Sequence, residues 1–123
     1  MFTSSADGTE ENPIIIRSDN PEKPAIISGS TTSSKIALTI LGDWWEIRDL
    51  KVTNAQKGIM LDNSNHTKIT NCEVYNIGSE GIHFRDNSSY CLAESCYVHD
   101  TGVVSPGSVS YTHLRAHETS LHL

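Results

Sequence analysis

The sequence predicts an all-β fold: a right-handed, single-stranded parallel β-helix, or solenoid, of about four coils. Two observations carry this prediction. Runs of four or five residues alternate between apolar and polar side chains, and clusters of Asn, Asp, Gly and Ser separate the runs, as strands and turns require. The pattern also returns at a nearly fixed interval, which is typical of a repeat architecture. No segment carries a sustained helical period.

The interval is set by equivalent positions of three repeats. Val52 and Val74 are 22 residues apart, and Val74 and Val98 are 24 apart. Each repeat holds three short strands, which describes one coil of a β-helix. The repeats comprise residues 45–54 with 58–64, residues 68–76 with 81–88, and residues 92–100.

Stacked coils bring equivalent side chains to within about 4.8 Å of each other along the axis. Four columns stay apolar from coil to coil, so we expect them to point inward. They are Leu38, Ile59 and Ile82; Ile40, Leu61 and Phe84; Val52, Val74 and Val98; and Leu50, Cys72 and Cys96. Together with Cys91, the two cysteines are interpreted as buried free thiols; the alternative is a disulfide between Cys72 and Cys96, which stack on adjacent coils.

A further column, Asp49, Asn71 and Ser95, falls at the tight turn between the second and third strands of each coil. Short polar side chains tolerate left-handed backbone and can hydrogen-bond along the stack, so this column is predicted to be a structural turn ladder.

An earlier, less regular coil is predicted from the strands at 14–17 and 25–27, and the regular stack begins at 36–40. The solenoid therefore occupies residues 1–107. Neither end shows an amphipathic capping helix, so we interpret the chain as a middle piece of a longer protein whose exposed coil ends can self-associate.

The composition limits the partners. Fifteen Asp and Glu against nine Lys and Arg argue against nucleic acid or an anionic membrane surface. No apolar run reaches the roughly 18 residues that span a bilayer. An acidic solenoid suits neutral sugars, or acidic sugars held through a bridging cation.

Several segments resemble secreted β-helix proteins of the pectate lyase-like superfamily. They are the opening run 8–18, the repeat units 44–54 and 58–65, and the coil end 96–102. The resemblance implies an extracellular fragment of a carbohydrate-active protein similar to polysaccharide lyases of the pectate or alginate type. These enzymes cleave uronate polymers by β-elimination, and we expect the isolated fragment to be inactive. The alternative is a non-catalytic β-helix that binds carbohydrate or serves as a surface-exposed spacer.

The segment 109–119 breaks the repeat and resembles one translated frame of a transposase-based sequencing adapter. Residues 108–123 are therefore predicted to be a non-native, disordered tail. His113, Arg115, His117 and His122 should then carry no function.

In the resembling superfamily the sugar lies along the outer face of the first strand of each coil. Here that face would hold Met60 and Asp62 as substrate contacts, with His83 and Arg85 as candidates for the catalytic base. Asp62 and Asp86 could contribute to a Ca²⁺ site, although Ca²⁺ takes about six to eight oxygen ligands. The alternative is a surface ion pair between Asp62 and Arg85.

Two further features are candidates. Trp44 and Trp45 are adjacent in a strand, so one ring points outward and could stack on a sugar, or could instead pack against a neighbouring loop. His99 and Asp100 could form a catalytic pair, although they lie at a turn.

Overall fold

In a computed structural model, residues 1–85, 88–104 and 120–122 are described. They form thirteen strands and no helix: β1 (Phe2–Ser4), β2 (Ile14–Arg17), β3 (Ala25–Ser28), β4 (Ile36–Ile40), β5 (Trp45–Arg48), β6 (Leu50–Ala55), β7 (Lys57–Asp62), β8 (Lys68–Thr70), β9 (Glu73–Ile77), β10 (Ile82–Arg85), β11 (Leu92–Glu94), β12 (Tyr97–His99) and β13 (Ser120–His122).

The strands form three sheets that run along the axis of a solenoid. Sheet A has the order β1-β4-β7-β10, sheet B the order β13-β11-β8-β5-β2, and sheet C the order β12-β9-β6-β3. Each coil passes from sheet B to sheet C to sheet A, and the described residues give three full coils and two strands of a fourth. All pairings are parallel except β11 with β13. The predicted parallel β-helix of about four coils is confirmed.

The core lies between the three sheets and is built from the predicted columns. Val52 pairs with Val74 and Val74 with Val98, all without solvent exposure. Leu50, Cys72 and Cys96 are also buried, and burial raises the pKa of the Cys72 thiol to about 12. Thiols in this position behave as small apolar side chains and are not reactive nucleophiles.

The tight turns have the left-handed backbone that short polar residues tolerate. Asp49, Asn71 and Ser95 have φ angles of 59°, 53° and 55°, and Asn71 Nδ2 donates to Asp49 Oδ1 at 2.9 Å. A second left-handed column, which sequence analysis missed, ends the strands of sheet C at Asn54, Asn76 and Asp100, with φ of 53°, 54° and 51°.

Both ends add strands that the repeat did not predict. β1 extends sheet A beside β4, with Phe2 in register with Leu38. The predicted tail, 108–123, lies outside the described residues except for Ser120–His122, whose backbone pairs antiparallel with β11. The predicted boundary at residue 107 and the adapter interpretation remain untested predictions.

The part of the chain that the structure describes contains no helix long and apolar enough to cross a membrane.

Candidate polysaccharide-binding face

The outer face of sheet A, whose strands were counted first in each coil in the sequence analysis, presents the residues singled out there. Ile59 and Leu61 point into the core, which turns the alternate residues of β7 outward. The register sets His83 beside Met60 and Arg85 beside Asp62. Met60 is only 4% exposed, so it offers little surface to a ligand, and its predicted sugar contact is limited to that small area.

Asp62 and Arg85 form an ion pair. Arg85 Nη2 donates to Asp62 Oδ2 at 2.7 Å. The Arg85 side chain is 43% exposed and the Asp62 side chain is 16% exposed. A guanidinium with five N–H donors can keep this bond and still direct other donors toward a bound carboxylate. The bond to Asp62 uses one of these donors.

A second charged cluster lies at the start of the same strands. Glu80 Oε2 is 3.1 Å from Lys57 Nζ and 3.1 Å from His83 Nδ1, and neither contact has the alignment of a hydrogen bond. Glu80 was missed by sequence analysis. The available signal was its position before Gly81, which matches that of Lys57 before Gly58 and so stacks opposite charges on adjacent coils.

Gly58 is required at the base of this face. A Cβ at this position would lie 2.5 Å from the carbonyl oxygen of Gly81 and 2.5 Å from Cγ1 of Val74. Any side chain here would push the third coil away from the second. The glycine therefore lets Lys57 and Glu80 approach each other.

The predicted Ca²⁺ site is not assembled by the described residues. Asp86 lies outside them, and Asp62 is bonded to Arg85. Within the described ranges no group of three or more His, Cys, Asp or Glu side chains could hold a metal ion. Since Ca²⁺ takes about six to eight oxygens, these residues do not fit the ion, and the predicted Asp62–Asp86 site stays a prediction.

The tryptophan pair divides between core and surface. Trp45 is 3% exposed and its Nε1 donates to Ala6 O at 2.8 Å, so it is the inward ring and cannot stack on a sugar. Trp44 stacks on His66 with centroids 4.2 Å apart, and His66 stacks on Tyr90 at 4.9 Å. Trp44 precedes β5 with a left-handed φ of 59°, so the two tryptophans are not adjacent residues of one strand as predicted, and His66 covers one face of the Trp44 ring.

The outer face of sheet C holds a different cluster, centred on His99. Its Nε2 is 2.7 Å from Glu73 Oε2 and its Nδ1 is 2.9 Å from Asp100 Oδ2. Burial disfavours the charged ring, but the hydrogen bonds that Glu73 and Asp100 accept from it outweigh burial and raise the pKa of His99. Both ring nitrogens contact carboxylates, and the predicted His99–Asp100 catalytic pair stays a prediction.

The His99 ring is also enclosed by aromatic rings. Tyr97 stacks on it with centroids 4.1 Å apart, and the Tyr75 ring lies nearly parallel to it at 5.5 Å. Glu73 additionally contacts Lys51, with Oε1 3.8 Å from Nζ. The two outer faces therefore present different chemistry on one scaffold.

Comparisons with known proteins agree with this geometry. The family model described as "Right handed beta helix region" matches residues 36–117. The crystal structure of an alginate lyase from Paenibacillus sp. str. FPU-7 superposes with a TM-score of 0.85 at 43% identity, over 87% of this chain. The chain spans 36% of the length of that enzyme. No curated protein matches the chain.

Proposed function

Since the chain belongs to the family of right-handed β-helix regions, we propose that it is the β-helix part of an extracellular polysaccharide lyase that acts on uronate polymers. The observation that carries the proposal is the set of cationic and acid–base side chains on the outer face of sheet A. The similarity to an alginate lyase at 43% identity supports the substrate class and the extracellular location.

Charge favours an acidic polymer on this face. Lys57, Arg85 and His83 lie on adjacent strands, and Asp62 and Glu80 each contact at least one of them. The cations outnumber the carboxylates when His83 is protonated and equal them when it is neutral, whereas the whole chain carries a formal charge of −6. A uronate chain laid along the axis would meet cationic side chains on this face, although the chain as a whole is acidic.

The chemistry of β-elimination assigns a role to each group. A base removes the proton on the carbon next to the uronate carboxyl group, the electron pair forms a C=C bond, and the C–O bond to the leaving sugar breaks. The leaving oxygen then takes a proton. Arg85 would bind the carboxylate and stabilise the charge that develops on it.

In this proposal His83 is the base. Glu80 Oε2 lies 3.1 Å from Nδ1 of His83, and in the proposed reaction a realigned Glu80 would accept a hydrogen bond from Nδ1 and leave the lone pair on Nε2. Glu80 is therefore a positioning residue, which the sequence alone did not indicate. Because the described residues do not fit Ca²⁺, no step is routed through a metal ion.

Binding by this chain tests the proposal directly, because turnover is not expected from a chain that spans 36% of the similar lyase. Isothermal titration calorimetry with hexamannuronate and hexaguluronate measures it. We expect Arg85→Ala to weaken binding about tenfold or more, since it removes a charged hydrogen-bond donor.

Arg48→Ala is the matched control. Arg48 is also an arginine paired with a carboxylate, Glu46 at 3.9 Å, but it lies on sheet B. If both variants lost the same affinity, the effect would come from the net charge of the chain, and the assignment of the sheet A face would be overturned. Absence of oligouronate binding by the unaltered chain would overturn the proposal.

A second candidate is a non-catalytic carbohydrate-binding β-helix. The pairing of Arg85 with Asp62 and of Lys57 with Glu80 favours it, since paired charges can hold a sugar chain without reacting with it. Incubation of the chain with hexamannuronate distinguishes the two functions: formation of the unsaturated product, measured by its ultraviolet absorbance and lost in both Arg85→Ala and His83→Ala, would exclude the non-catalytic candidate.

A further inference from the structure

We propose that the outer face of sheet C carries a second saccharide-binding groove, which takes a neutral, hydroxyl-rich chain. This site is separate from the sheet A face and does not depend on the lyase chemistry. It rests on the shape of the groove, on a supported aromatic ring and on the balance of charges around it.

The groove is a cavity of about 210 Å³ that runs along the solenoid axis where the tight turn meets sheet C. Pro21 and Pro24, from the loop of the first coil, line one end, and Tyr97 of the fourth coil lines the other. Lys51 and Glu73, in register on β6 and β9, lie between them. A linear polymer in this groove would meet an equivalent position on each successive coil.

Tyr97 supplies the aromatic wall. Its ring lines the groove and stacks on His99 with centroids 4.1 Å apart, whereas His99 does not line the groove. Tyr97 is 38% exposed. A supported ring with exposed surface is suited to pack against the C–H groups of a pyranose, since aromatic contacts combine apolar area with a preferred stacking geometry.

Fixed polar groups face the same space. Glu73 is held by His99 at 2.7 Å and by Lys51 at 3.8 Å, so its carboxylate has a set position. Asp49 and Asn71 of the turn ladder are joined at 2.9 Å and also line the groove. Carboxylate and amide groups that are already oriented can accept and donate hydrogen bonds to sugar hydroxyls at little entropic cost.

The charge balance selects the ligand class. Three residues that carry a formal charge at neutral pH line the groove: the ammonium of Lys51 and the carboxylates of Asp49 and Glu73. A uronate chain would bring further negative charge next to them, which is unfavourable. A neutral saccharide meets hydrogen-bonding groups and an aromatic ring without this repulsion.

The experiment is an NMR titration of the ¹⁵N-labelled chain with cellohexaose, xylohexaose and mannohexaose, and with hexamannuronate as the acidic counterpart. We expect saturable shifts of the Lys51, Glu73 and Tyr97 amides with at least one neutral chain, and none at these amides with hexamannuronate. Tyr97→Ala should weaken the neutral binding about tenfold, the loss of one aromatic stacking contact.

The matched control is Tyr90→Ala, which removes another exposed tyrosine of the fourth coil outside the groove. Glu73→Gln, which keeps the shape of the side chain, provides a second variant if Tyr97→Ala fails to fold. The proposal is overturned if none of the three neutral chains shifts these amides, if both tyrosine variants bind equally, or if hexamannuronate produces the same shifts.

Discussion

The outer faces of sheet A and sheet C differ in almost every side chain, although both are formed by the same coils. On sheet A, Asp62 is followed one coil later by Arg85. On sheet C, Lys51 is followed by Glu73 and then by Tyr97. The inward column Val52, Val74 and Val98 does not change at all. In a solenoid the interior fixes the fold, and the exterior is free to build a different surface on each side.

This division predicts that neighbouring residues of one strand differ greatly in their contribution to the free energy of unfolding. Leu61→Ala should destabilise the chain by about 2–5 kcal/mol, because it leaves a cavity in the fully buried core. Asp62→Ala, one residue further along β7, should cost less than about 1 kcal/mol, since it removes only a surface ion pair. Urea denaturation followed by circular dichroism measures both. Similar losses would mean that the sheet A face contributes to folding as the core does.

The turn ladder of Asp49, Asn71 and Ser95 requires residues that tolerate left-handed backbone. Asn71 has a φ of 53°, so Asn71→Ala should cost roughly 1–2 kcal/mol, the penalty of a left-handed residue with a Cβ, together with the bond to Asp49. Asn71→Gly should recover part of the loss, because glycine tolerates this backbone. If the glycine variant were less stable than the alanine variant in thermal melts, the backbone would not be the cause.

The smallest expected effect is a pH dependence of stability that comes from the His99 cluster on sheet C. The pKa of His99 is raised in the folded chain, so the contribution of this ring is fully present below its unfolded pKa of about 6.5 and is lost as pH rises through the folded value. Lys51, Glu73, Asp100, Tyr75 and Tyr97 are the charged and titratable groups around the ring.

We therefore expect the melting temperature to fall modestly from about pH 6 to about pH 9, and His99→Asn to remove that part of the slope. An unchanged slope in the His99 variant would contradict the account of the sheet C cluster.

Sequence analysis predicted what the period dictates. The inward columns, the left-handed turn residues and the pairing of Asp62 with Arg85 all follow from counting one coil length along the chain. Sequence analysis predicted the side-chain clusters less well. Glu80 meets His83 across a turn, and His99 reaches Glu73 diagonally between strands, and such contacts depend on rotamers that the period does not specify.

The terminal strands and the tryptophan pair show the same limit. β1 joins sheet A from outside the repeat, so no spacing indicated it. Which of Trp44 and Trp45 points inward depended on the register of β5 against β2, where Trp45 lies opposite Ile14.

A crystal structure of the chain with bound hexamannuronate tests the central claim most directly. The account predicts an acidic chain along the outer face of sheet A, with a uronate carboxylate within hydrogen-bond distance of Arg85 and His83 Nε2 near the carbon that bears the acidic proton. An oligouronate bound instead in the sheet C groove, or away from Arg85, would contradict it.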